Sequence, residues 1–316
     1  MTKDQDVGDL WLVGAGAMAQ AYEAVLDALK VKFVVIGRGE KSSTTFETAT
    51  GRAATTGGVR LAIADNVIPK RAIVAVGVEQ LAEVACDLLD AGVRHLLLEK
   101  PGGLSSDELA QIRDRAISAE IAIAYNRRYY ASTSVARQII TEDGGVSSFF
   151  FEVTEWPHAT EPRQVDPTVR KRWFLAQSSH VVDLAFHLGG RPVDWACWHK
   201  GSLPWHQESS RFAGAGATAG GATFGFHGDW EAPGRWGLEV LTRRHRLIFQ
   251  PLETLQVMSI GSLEVASAPI DAHIDHEFKP GIHEQTRAFL LGNDSMLCSL
   301  DEQIQNMLIY EQMAGY

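Results

Sequence analysis

The stretch Asp9-Leu10-Trp11-Leu12-Val13-Gly14-Ala15-Gly16-Ala17-Met18-Ala19 decides the fold. Residues 9–13 read as a short apolar strand that stops at glycine, and the next six fit the spacing G-x-G-x-x-A. Over 19–29 apolar residues recur at helical spacing, with Tyr22, Val25, Leu26 and Leu29 on one face. A second β-branched run, 32–36, again ends at glycine. In such a strand–turn–helix–strand context, Gly14 and Gly16 permit a tight turn. They also let the backbone N–H groups of Ala17 and Met18 approach a pyrophosphate at the helix N-terminus. Without that context the spacing marks only a turn. Gly214-Ala215-Gly216-Ala217-Thr218-Ala219 fits the same expression, but Ser209-Ser210-Arg211-Phe212 precedes it and no helical pattern follows, so it is read as a decoy.

Outward from this unit the alternation continues. Residues 72–76, 95–98 and 121–124 are further apolar runs. A helical pattern lies over 80–91, and the capping box Ser105-x-x-Glu108 opens a helix through about 118. Continuously apolar strands separated by amphipathic helices imply a doubly wound parallel α/β sheet covered on both faces. The pattern changes after Asn126. A helix over 133–141 leads into a strand over 146–154. The segment around Trp236, Leu238 and Val240 alternates, and Thr242–His245 turns it back into 246–250. This half suits a large, mostly antiparallel sheet with one buried face. It holds seven of the eight tryptophans, and residues 212–221, rich in Ala and Gly, read as a loop or strand edge. The expected domains are therefore 1–126, dinucleotide-binding, and 127–316, an α/β domain for substrate and oligomerisation, closed by a helix over 301–313.

Composition narrows the function classes. The chain has 316 residues, with 29 Lys+Arg against 39 Asp+Glu and a net charge of −10, which disfavours nucleic acid as a partner. No apolar run reaches ~18 residues, so no membrane span is expected. The polar, acidic start MTKDQDVGD is unlike a secretory signal. Cys86, Cys197 and Cys298 lie far apart without metal-type pairing, which fits reduced thiols in a cytoplasmic protein.

The end of the second strand bears on the cofactor. An acidic residue there would accept hydrogen bonds from the ribose of NAD, but this chain has Gly37-Arg38-Gly39-Glu40, followed by Ser42, Ser43 and Thr44. A guanidinium with hydroxyls suits a 2′-phosphate, so NADP is expected, with NAD as the alternative. If instead Arg38 stacks on adenine or faces solvent, that preference lapses.

Glu99-Lys100-Pro101 follows the fourth apolar run, at the sheet edge where α/β folds bind ligands, and a lysine there can stabilise a developing alkoxide. Together with the glycine turn, Tyr125-Asn126-Arg127-Arg128 after the last strand, and His180-x-x-Asp183 further on, it makes the chain resemble the glucose–fructose oxidoreductase / inositol dehydrogenase / MocA-like (Gfo/Idh/MocA) oxidoreductase family. The resemblance implies hydride transfer between a nicotinamide and a secondary alcohol or ketone of a sugar, nucleotide sugar or cyclitol. It also implies a homodimer or homotetramer built through the C-terminal sheet. In that reading Lys100 polarises the reacting oxygen, His180 is the general acid/base, and Asp183, on the same helical face, orients the ring or contacts substrate. His187 is a weaker candidate. The expected cofactor contacts are Gly14, Gly16, Ala17, Met18, Arg38, Ser42, Val76, Gly77, Glu99, Lys100 and Asn126. The expected substrate contacts are Lys100, Arg127, Trp156, Trp173, His180 and Asp183.

The sequence departs from the family pattern in two places. Ala176 stands where many relatives carry an aspartate, and Val76-Gly77-Val78-Glu79 replaces a Thr-Pro pair. These departures keep two other readings open, a non-catalytic dinucleotide-binding regulator and an NAD-assisted glycosidase. Asp271-x-His273-x-Asp275-His276-Glu277 is dense in metal-ligand types, but it lacks a second cluster at zinc spacing and is read as a solvated connection, with no metal expected.

Overall fold

The computed structural model describes residues 10–161, 164–292 and 294–316. The acidic start, including Asp9 of the expected first strand, lies outside them. The chain divides into two compact units, one comprising the residues up to Ala124 with Ile282–Ile304, the other Tyr125–Gly281 with Gln305–Tyr316.

The first unit runs β1 (Leu10–Val13), α1 (Ala17–Ala28), β2 (Val34–Ile36), α2 (Glu40–Thr50), β3 (Ala54–Thr55), α3 (Gly58–Asp65), β4 (Arg71–Val74), α4 (Leu81–Asp90), β5 (His95–Glu99), α5 (Ser106–Arg115) and β6 (Glu120–Ala124). The second contributes α6 (Ala131–Glu142), β7 (Ser148–Glu152), α7 (Pro157–Thr160), α8 (Pro167–Lys171), α9 (Ser179–Gly189), β8 (Pro192–Lys200), β9 (Arg211–Thr218), β10 (Thr223–Asp229), β11 (Gly237–Leu241), β12 (His245–Phe249), β13 (Gln256–Ser259), β14 (Ala266–Ser267) and α10 (His273–Glu277). The chain then returns to the first unit with α11 (Ile282–Leu291) and β15 (Cys298–Ser299), and ends in α12 (Leu300–Ala314).

Among the described residues the first sheet has the order β15-β6-β5-β4-β1-β2-β3. All its pairs are parallel except β15 with β6. Every residue of β1 is buried, as a strand covered on both faces requires. Ser105 caps α5 by accepting from the Glu108 N–H at 3.2 Å, while the Glu108 carboxylate accepts from the Leu104 N–H at 2.6 Å. That helix ends at Arg115, short of the expected 118. The sequence reading placed everything after residue 126 in the second domain, and this is corrected for Ile282–Ile304. Cys298 and Ser299 pair with Ile123 and Ala122, covering the sheet's outer edge, and α11 packs against α1.

The second sheet has the order β14-β13-β12-β11-β7-β10-β9-β8, antiparallel apart from β7 with β10. That parallel register puts Phe149 beside Phe224 and Phe151 beside Phe226, with stacked rings 5.4 and 5.3 Å apart. Phe186 of α9 stands edge-on to three of these rings. Gly189 completes the seat, because a Cβ there would lie 2.3 Å from the Phe149 ring. The Ala/Gly-rich segment is neither a loop nor an edge. It forms β9, flanked by β10 and β8, where a Cβ on Gly214 or Gly216 would strike Phe226 or Trp195 within 2.4 Å. The expected solvated connection at 271–277 contains the short helix α10, and Asp275 accepts from the Ala131 and Gly281 N–H groups at 2.8 Å each. No helix of the described residues is long and apolar enough to cross a membrane.

Candidate functional site

In the first unit a cavity of about 590 Å³ opens at the carboxyl ends of β1, β2 and β4. That size is in the range of small-molecule sites. Gly14, Gly16, Ala17, Met18, Arg38, Ser42, Val76 and Gly77 line it. The two turn glycines serve different ends. Gly14 has a φ of +125°, and a Cβ there would lie 2.3 Å from the Ala75 carbonyl oxygen, so only glycine lets β1 pass so close to the chain leaving β4. Gly16 has an ordinary φ of −95°, and a Cβ there would meet nothing within 4 Å. The space at Gly16 is left by the fold without being required by it. Gly16 is also the N-cap of α1 and offers no side-chain bond to the first turn, whose N–H groups stay available to an anion.

Arg38 is exposed on the cavity wall and forms no ion pair within the chain among the described residues. The sequence reading missed a second arginine on the same wall. Arg60 is anchored by Asp87 at 2.8 Å and Glu83 at 2.7 Å. Its signal, Gly57-Gly58 before a helical pattern, lay in a stretch for which no element was expected.

Glu99 and Lys100 do not line this cavity. Both are buried at the end of β5, where Glu99 accepts from the Tyr22 hydroxyl at 2.8 Å. Burial and the Glu99 carboxylate hold the Tyr22 phenol well above its usual range. Asn126 belongs to the second unit and donates through Nδ2 to the Pro280 carbonyl at 2.9 Å.

The second unit gathers a different set. A π-turn over Phe174–Ser178 leads directly into α9, which carries His180 and Asp183 on one face. Ala176 is fully buried in that turn. The His180 ring lies 6.2 Å from Tyr125, edge-on, and 5.9 Å from Trp236. Both Asp183 carboxylate oxygens accept from Arg128, at 2.9 Å from Nε and 2.6 Å from Nη2, in a pair closed to solvent. This changes the expectation for two residues. Asp183 is occupied in holding Arg128 beneath the helix, which suits a positioning role better than substrate contact, and Arg128 is neutralised, so it adds no open positive charge.

Arg127 stacks over Trp236 at 5.0 Å and over Tyr130 at 5.8 Å. Arg235 covers Trp236 at 4.0 Å, reaches over Trp156 at 5.1 Å, and donates to the Glu155 carboxylate at 2.9 Å. Buried Glu155 also accepts from Ser178 Oγ at 2.7 Å and Trp236 Nε1 at 3.1 Å. Burial pushes its carboxyl above the usual range, against the pull of Arg235 and these bonds. Trp156 is exposed and donates to the Gly234 carbonyl. Trp173 is instead buried against Trp205, which stacks on Trp230. The chain contains two Arg-Trp pairs, 172–173 and 235–236, and the one beside His180 is the pair the sequence reading did not select. His187 is half-buried, and desolvation, helped by Arg128 and Arg137, holds its pKa at about 3.

No family model matches the sequence, and no curated protein matches it. Solved structures do. Levoglucosan dehydrogenase in complex with NADH aligns at a TM-score of 0.79 and 17% identity, covering 96% of this chain and 95% of that one. A structure described as an NADPH-dependent oxidoreductase from Desulfitobacterium hafniense aligns at 0.79 and 17%, covering 98% and 95%. UDP-N-acetylglucosamine 3-dehydrogenase of Acidithiobacillus ferrooxidans aligns at 0.74 and 14%, covering 96% of each chain. At these identities the likeness establishes the fold alone, a mostly parallel Rossmann-like sheet in one unit and a large, mostly antiparallel sheet in the other.

Proposed function

We propose that the protein is an NAD(P)-dependent oxidoreductase of the Gfo/Idh/MocA type, acting on a secondary alcohol or ketone of a sugar, nucleotide sugar or cyclitol. The observation that carries this reading is the Gly16 cradle, a space in a 590 Å³ cavity at an uncapped helix N-terminus, where nothing in the fold explains the missing side chain. A dinucleotide pyrophosphate fits it by charge and by shape. Several structures of similar fold are titled as NAD- or NADPH-dependent, and some as sugar or nucleotide-sugar dehydrogenases, which supports the same class.

The bound nicotinamide would supply the hydride chemistry. The chain's residues would do the rest. The N–H groups of Ala17 and Met18 and the Arg38 guanidinium would hold the cofactor, with Ser42 beside a 2′-phosphate. Lys100 would donate to the reacting oxygen, and His180 would take or return the hydroxyl proton. Asp183, through Arg128, would hold the segment from which His180 projects.

The test is nicotinamide titration followed by a screen of sugars and nucleotide sugars, read by absorbance of the reduced cofactor. Lys100→Ala and His180→Ala should each lower turnover by roughly 10²–10⁴-fold while leaving cofactor binding intact. Normal turnover of a genuine substrate by both variants would overturn the assignment.

A further inference from the structure

We infer that the second unit binds an acidic substrate, a polyhydroxy carboxylate, whose carboxylate pairs with Arg127 over the face of Trp236. This rests on the reading above and narrows its substrate class.

Arg127 is the starting point. Its Nε is buried without a hydrogen-bond partner, and its one side-chain bond is from Nη1 to the Asn126 amide oxygen at 3.3 Å. No carboxylate among the described residues lies within ion-pair distance of it. The neighbouring Arg128, by contrast, is bonded to both Asp183 oxygens. Desolvation lowers the Arg127 pKa and Arg235 adds to this, against the upward pull of Tyr130, Glu253 and Glu155. A chain that gains nothing from a half-buried guanidinium whose Nε is buried without a partner would be expected to replace it, because the desolvation is costly.

The surroundings suit a bound monoanion. Two guanidiniums share the Trp236 indole; Glu155 is bonded to Arg235, and together with Glu253 it acts on the Arg127 charge without forming an ion pair with it. A planar guanidinium with an open Nε edge matches the two oxygens of a carboxylate, which the fork can hold through paired bonds. His180 stands 5.9 Å from the same indole, so a ligand anchored at Arg127 would extend its hydroxylated carbons along the aromatic face toward the proposed acid/base. With Glu155 and Glu253 already offsetting part of the Arg127 charge, a carboxylate monoanion is favoured over a phosphate dianion.

The experiment is calorimetric titration of the protein, saturated with its nicotinamide cofactor, with glucuronate, glucose and glucose 6-phosphate, repeated for galacturonate and galactose. At least one uronate should bind roughly tenfold or more tightly than its neutral hexose and than the phosphate ester. In Arg127→Met the uronate should lose that advantage while the cofactor affinity is retained. Arg127→Lys should keep part of the advantage, because a point charge replaces the fork. Neutral hexoses binding as well as uronates, or no uronate binding at all, would overturn the inference. Tighter binding of the phosphate ester would assign the site to phosphate and overturn it equally. These wild-type comparisons do not depend on how well the variants fold. If the wild-type protein binds no nicotinamide dinucleotide, it is the oxidoreductase reading that fails.

Discussion

The two candidate sites are built from opposite materials. In the first unit the cavity is made of backbone. Gly14 lets two strands approach, Gly16 leaves a space, and the N–H groups of α1 face it. In the second unit the cluster around His180 is made of long side chains, Arg127, Glu155, Arg235 and Trp236, brought together from three separate stretches of chain. A backbone site is written in a few consecutive residues and tolerates few of them changing. A side-chain site is distributed, and each member can be altered with a graded effect.

The sharpest way to break this comparison is to remove the support under the second site. Asp183→Ala takes the carboxylate away from the buried Arg128 guanidinium, and should cost about 3–5 kcal/mol in urea unfolding. A cost below ~1 kcal/mol would mean that the pair is not closed to water as described. The first unit offers a cleaner separation of folding from binding. Gly14→Ala forces a Cβ onto the Ala75 carbonyl at a positive φ and should destabilise by at least ~1–3 kcal/mol. Gly16→Ala meets open space, so its melting temperature should match the wild type while its dinucleotide affinity falls. Equal behaviour of the two variants would erase the distinction between a structural and a functional glycine.

Arg38→Ala tests the cofactor end. NADP affinity should fall roughly ten- to a hundredfold while NAD affinity barely changes, since a charge-assisted bond to the 2′-phosphate is worth ~1.5–3 kcal/mol. Equal losses for both cofactors would remove the case for NADP. The smallest effect is on pH dependence. His187 is held at about 3 in the folded protein, below its ordinary 6.5. Its contribution to stability is therefore complete above pH 6.5 and is lost as pH falls toward 3. Between about pH 7.5 and about pH 5.5 the wild type should lose ~1 kcal/mol more unfolding free energy than His187→Gln. Parallel losses would show that the imidazole titrates normally.

The contrast also explains what could be read beforehand. The glycine turn, the apolar strands and the Ser105–Glu108 cap are local, so residues 10–36 and the helix α5 announce themselves. Helix α2 was passed over because it contains four threonines and two serines, which are poor helix formers and mask its periodicity. Strand β9 was passed over because its glycines answer to Phe226 and Trp195, residues that only pairing brings alongside. Lys100 and His180 were singled out through the motif resemblance alone. Arg235 and Trp236 carry no motif, and their neighbours Glu155 and Ser178 lie 80 and 23 residues away from their respective partners.

The return of Ile282–Ile304 to the first unit has a consequence for biosynthesis. Until Cys298 and Ser299 leave the ribosome, the β6 edge, Ile121-Ala122-Ile123, exposes an apolar strand with unpaired backbone groups. Nearly the whole second unit must be synthesised while that edge waits, and open edges of this kind template aggregation. Expression of residues 1–126 alone would make the wait permanent. A fragment that carries 282–304 on a short linker after Ala124 would supply the missing strand and should be far more soluble.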